Sequence, residues 1–174
     1  NALGGILSPE GANELARGIK TLGIRLDRQI ENLMEVVKFL ETRPEVQRVY
    51  YPGVPGHEGY EELRQEAKGA GAVLSFELSG AVDSVAFVNG LRLFTRAVSL
   101  GAVESLVELP SKMSHAELTS EEQLAAGIKP GLIRLAIGIE DVTDLIEDLA
   151  QALDQAELVT TKGSVEDDQT TAIN

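Results

Sequence analysis

The fold turns on Gly131–Leu153, GLIRLAIGIEDVTDLIEDLAQAL. Its first half alternates: Ile133 and Leu135 fall on one side of an extended chain, Arg134 and Ala136 on the other. That is the period of a strand with one covered face, and it predicts a strand over Leu132–Ile137. The second half changes period. Val142, Leu145, Ile146, Leu149 and Leu153 share one helical face behind Asp141, a capping residue. A strand followed at once by an amphipathic helix predicts a sheet with helices laid against it.

The same two periods recur upstream. Val46–Tyr50 reads as a short strand ending in the turn-rich Tyr51–Gly56, and Gly71–Leu78, GAVLSFEL, as a second strand. Leu93–Val98 reads as a third. Helices are expected over Tyr60–Lys68, over Val82–Asn89 with Gly90 as the cap, and from Ser120 to Ala126. Ser8-Pro9-Glu10 opens a much longer one, with a serine cap, proline in the first turn and an acid beside it. Leu15, Ile19, Leu22, Leu26, Ile30, Leu33, Val37 and Leu40 continue its apolar face until Arg43-Pro44. A helix over Pro9–Thr42 would be ~50 Å long. That exceeds what so small a domain covers, so part of it is expected to lie on something outside the chain. Gly11, Gly18 and Gly23 mark a bend or a close backbone approach. The expected organisation is a lead-in and long interdomain helix over 1–42, a small domain over 43–157 and a polar, disordered tail over 158–174. The fold class is α+β: a small mixed or mainly antiparallel sheet with helices on one face.

Composition narrows the function. The 174 residues carry a net charge of −13, with 43% hydrophobic and 4% aromatic residues. So acidic a surface repels nucleic acid and anionic lipid, so neither is an expected partner. No apolar run approaches the ~20 residues of a membrane helix, and no signal peptide opens the sequence. The expected location is the cytoplasm. With no cysteine and only two histidines, His57 and His115, far apart, no metal site is expected.

Few residues are candidates for chemistry. Arg134 lies between apolar neighbours in a predicted strand. It is either an exposed-face residue of a half-covered sheet, which the alternation favours, or a clamp gripping a carboxylate with two parallel hydrogen bonds. Ser99, in RAVSLGAVESL (Arg96–Leu106), ends a strand beside Gly101. It either makes a turn or lines a ligand pocket, with Gly101 leaving room for close approach. Ser114 and His115 read locally as a cap and a solvated side chain. Glu104 and Glu108, four apart, read as one helical turn or as ordinary surface acids. No lysine has a setting for covalent chemistry, and no glycine-rich loop opens a helix to cradle a phosphate.

Taken together, NALGGILSPEGA, RGIKTLGIRLDRQIENLMEVVKFLE, VYYPGVPGH, KGAGAVLSFEL, LFTRAVSLGAVESLVELPSKMSHAEL and AAGIKPGLIRLAIGIEDVTDLIEDLAQAL resemble the C-terminal part of the Cys/Met-metabolism pyridoxal-phosphate enzymes. This family includes cystathionine γ-synthase, the cystathionine lyases, methionine γ-lyase and the homoserine-ester sulfhydrylases. The resemblance spans about Asn1–Ala156. It implies a small amino-acid substrate, whose α-carboxylate Arg134 binds while Ser99 and Leu100 line the pocket. Ser114 stands where the family usually has threonine. Val98 occupies a variable position, and an apolar residue there is like methionine γ-lyase rather than cystathionine-handling members. The resemblance also implies that the cofactor is pyridoxal 5'-phosphate and that the residues holding it belong to a preceding N-terminal domain. No catalytic or cofactor-binding residue is then expected in this chain, and the chain alone is expected to be inactive. The whole enzyme is expected to be a homotetramer catalysing γ-elimination or γ-replacement. The rival reading is a non-catalytic binding or assembly module.

Overall fold

A computed structural model describes residues 6–166. Its sheet has five strands: β1 Val46–Tyr50, β2 Val73–Leu78, β3 Thr95–Arg96, β4 Leu106–Glu108 and β5 Leu132–Ala136, in the spatial order β1-β2-β5-β4-β3. All neighbours are antiparallel except β3 and β4, which run parallel, so the sheet is mixed. The helices are α1 Pro9–Ile19, α2 Leu22–Glu41, α3 Tyr60–Glu66, α4 Ser84–Gly90, α5 Ser120–Ala125 and α6 Val142–Glu166.

Alternation decides which side of the sheet is covered. Leu74 and Phe76 of β2, Val107 of β4 and Ile133 and Leu135 of β5 face one way. They meet Leu33, Val36, Val37 and Leu40 of α2, Phe87 and Val88 of α4, and Leu145, Leu149 and Leu153 of α6 in one buried cluster. Phe76 and Phe87 stack edge to face with centroids 5.9 Å apart. Burying side chains of this size contributes about 1.5–3 kcal/mol each, so this interface holds the domain together. The other face of the sheet carries Ser75, Glu77, Glu108 and Arg134.

The single helix expected over Pro9–Thr42 is two. Lys20 and Thr21 interrupt it: their amides reach back three residues, to the carbonyls of Arg17 and Gly18, a tightened turn that ends α1. Arg25 then donates to the Thr21 hydroxyl at the start of α2. The break falls beside Gly18, one of the three glycines marked as a possible bend, where a helix has least intrinsic stability. α1 buries none of its residues, whereas α2 buries six from Gln29 onward. At the other end, α6 runs to Glu166, through part of the stretch expected to be a disordered tail; helix propagation adds one bond for each residue fixed. Residues 167–174 of that tail, and 1–5 of the lead-in, lie outside the described residues.

β4 is absent from the expected element order, and it corrects the reading of Glu108. Leu106–Glu108 is a buried strand, not a surface helical turn. Its outer neighbour Leu106 pairs with Ala136 and both are buried.

Candidate functional site

Register brings the site together. On the face of the sheet opposite α2, α4 and α6, Arg134 of β5 is flanked by its cross-strand partners Ser75 of β2 and Glu108 of β4. Arg134 Nη1 lies 3.0 Å from Glu108 Oε2, and Nη2 donates to the Ser99 carbonyl at 2.9 Å. Arg134 and Ser99, 35 positions apart, therefore meet, but through the serine backbone. The Ser99 hydroxyl is exposed and makes no hydrogen bond among the described residues. The Arg134 side chain is 26% exposed. One of its five N–H groups is donated to the Ser99 carbonyl, and Nη1 lies in ion-pair range of Glu108, so the guanidinium has donor capacity to spare.

Ser99 reaches Arg134 because its loop is tied down at several points. Ahead of it, the Asp148 carboxylate of α6 accepts the backbone amides of Arg92, Leu93 and Phe94. Behind it, Gln29 of α2 donates to the Ala102 carbonyl at 2.6 Å, and the Ile139 amide donates to the Val103 carbonyl. The buried Ser105 joins both sides. Its amide and hydroxyl donate to the two carboxylate oxygens of Glu140, and its hydroxyl accepts the Gly138 amide at 2.8 Å. Asn32 of α2 donates to the carbonyls of Gly138 and Glu140. A satisfied polar network of this kind fixes one loop conformation. Two glycines are required here. Gly101 has φ +80°, and no atom crowds its missing side chain, so conformation and not close approach demands glycine. Gly138 is the reverse: an added Cβ would stand 2.2 Å from the Val103 carbonyl oxygen.

The other expected site residues are placed differently. Val98 and Leu100, 55% and 61% exposed, flank Ser99 at the surface. Ser114 is exposed, and its hydroxyl lies 2.8 Å from Nδ1 of its neighbour His115. No hydrogen bond joins it to Arg134 among the described residues. Glu108 was weighed only as one of a pair of acids with Glu104, and Ser105, Glu140, Gln29 and Asn32 were not expected at all. A signal for the last two exists: Gln29 and Asn32 interrupt the buried stripe of α2 at helical spacing.

A second charged cluster sits further along the same face. Tyr50 donates to the buried Glu77, and Lys129 pairs with it at 2.9 Å. The hydrogen bond to this carboxylate holds the Tyr50 hydroxyl above its ordinary pKa. For Glu77 burial acts to raise the pKa, but Tyr50 and Lys129 outweigh it and hold the carboxyl below the usual range. No group of acidic, histidine or cysteine side chains among the described residues is arranged to hold a metal. None of the helices there is long and apolar enough to cross a membrane.

A mixed sheet covered by helices on one face, with an arginine held on the other, defines an α+β domain. The chain belongs to the Cys/Met metabolism PLP-dependent enzyme family, whose model matches residues 1–154. It is 46% identical over 154 residues to a cystathionine gamma-lyase of Bacillus subtilis (strain 168), covering 88% of this chain and 41% of that protein. It is 44% identical over 153 residues to an L-methionine gamma-lyase of Fusobacterium nucleatum subsp. polymorphum, covering 87% and 39%. A cystathionine gamma-lyase from Lactobacillus plantarum, solved in complex with L-serine, superposes with a TM-score of 0.85 at 38% identity, over 90% of this chain and 41% of that one. The chain therefore spans about two fifths of the length of these relatives.

Proposed function

We propose that this chain is the substrate-carboxylate-binding part of a PLP-dependent enzyme acting on sulfur amino acids or homoserine esters by γ-elimination or γ-replacement. The observation that carries this reading is the guanidinium of Arg134, held at two points beside Ser99 with an edge left open. A planar fork fixed in this way matches an α-carboxylate, which accepts two parallel hydrogen bonds. Val98 and Leu100 offer apolar surface next to it for the substrate's side chain, and Val98 suits a methionine-like chain better than one ending in a second charged group.

The reading gives this chain the substrate's carboxylate and not the cofactor. No lysine joins the ion pairs and hydrogen bonds around Arg134, and Lys38 and Lys129 are paired with Glu35 and Glu77. The residues that hold pyridoxal phosphate are then supplied by a part of the protein beyond these 174. When bound, the cofactor withdraws electrons from the substrate's α-carbon. The role of this chain is to orient that carbon by its carboxylate.

The test is Arg134→Ala in the whole enzyme. KM for the amino acid should rise about a hundredfold, the scale of two charge-assisted hydrogen bonds, with cofactor affinity unchanged. Equal loss of cofactor and substrate, or no loss, refutes the assignment.

A further inference from the structure

Glu108 has no place in the reading so far, and its surroundings call for one. Its side chain is 1% exposed, and neither carboxylate oxygen has a hydrogen-bond partner among the described residues. The ion pair that reaches it is with Arg134, at 3.0 Å and without hydrogen-bond alignment. Buried carboxylates ordinarily collect hydrogen bonds to offset their lost hydration. This one is compensated by a single guanidinium, so it acts on that guanidinium and on little else.

We propose that Glu108 is a positioning residue for substrate binding: it fixes the plane of Arg134 so that the open edge of the guanidinium is already aimed at an incoming α-carboxylate. This rests on the carboxylate-binding reading of Arg134. The geometry has two fixed points. Glu108 Oε2 restrains Nη1 from β4, and the Ser99 carbonyl restrains Nη2 from the loop beyond β3. Two points on a planar group define its orientation about the long, flexible side chain. The loop point is itself tied to Glu140, Gln29 and the β5–α6 turn. The strand point is set by register, since Glu108 and Arg134 are direct cross-strand partners. An arginine ordered in advance gives up less side-chain freedom on binding.

The experiment compares wild type, Glu108→Gln, Glu108→Asp and Arg134→Ala in the whole enzyme. Gln keeps the shape and removes the charge. KM for the amino acid should rise about tenfold in Glu108→Gln, the lower end of what loss of an orienting partner costs, while kcat changes much less. The affinity of an inhibitor lacking the carboxylate should stay as in wild type, because nothing then engages Arg134. The Gln change should add nothing further in an Arg134→Ala background. Glu108→Asp, one methylene shorter, should show a smaller rise in KM with the cofactor's absorption band intact, and it carries the test if the Gln variant does not fold. An unchanged or lower KM in the folded variants, or equal weakening of the carboxylate-free inhibitor, overturns the inference. A raised KM in Arg134→Ala with none in the Glu108 variants overturns this inference alone. No effect of Arg134→Ala overturns the reading beneath it.

Discussion

At the scale of single residues, the site depends on one position where nothing larger than hydrogen fits. Gly138 sits where the turn after β5 meets the loop carrying Ser99, with Val103, Glu140 and Glu104 all inside the space a side chain would need. Much of that surrounding is backbone, which cannot swing aside. Gly138→Ala should cost about 1–3 kcal/mol of stability by overpacking, read as a lower urea midpoint, and should move the Ser99 carbonyl away from Arg134. A midpoint equal to wild type would mean that the two segments separate freely. Arg134 and Ser99 were legible in the sequence as candidates, because a charged residue in an apolar strand and a serine beside a glycine each stand out. Their neighbour Glu108 was noticed, but its partner was not legible. An acid four residues from another acid looks like surface in a chain of net charge −13. Only the pairing of β4 with β5 reveals that it points at Arg134.

At the scale of elements, length separates what periodicity could read from what it could not. β2, β5 and α6 have five or more residues and repeat their pattern enough times to be recognised. β4 has three residues, and three residues carry no period; what fixes them is the register of the longer β5 alongside. The break between α1 and α2 was equally hidden, since the apolar spacing continues across it. The strand cluster around Glu77 makes a prediction of its own. Its carboxyl is held below the ordinary value of 4.5, so it contributes stability above that value and loses the contribution as pH falls through the lower, folded one. The carboxyls of Glu122, in the capping box of α5, and Asp141 are shifted the same way by hydrogen bonds accepted from Thr119 and Thr143. Urea midpoints should therefore fall between pH 5 and pH 3, and Glu77→Gln should flatten that fall while lowering the midpoint at neutral pH. A variant with the wild-type slope would show that Glu77 contributes nothing to it.

At the scale of the whole molecule, the architecture is unevenly finished. One side of the sheet is sealed by α2, α4 and α6, while α1 buries none of its residues. Leu15 and Ile19 of α1, with Leu22 and Ile24 at the start of α2, all stand in solvent. Opposing them is the surplus of negative charge, which keeps copies of the chain apart only while its field extends into solution. Electrolyte shortens that field, to about 3 Å at 1 M salt, and leaves hydrophobic attraction intact or stronger. A preparation of these 174 residues should thus sediment as single particles in dilute buffer and cluster on addition of sodium sulfate. Replacing Leu15 and Ile19 by serine should abolish the clustering, and persistence of clusters in that variant would trace them to another surface. Handled by itself, the polypeptide would be salted out through its first helix.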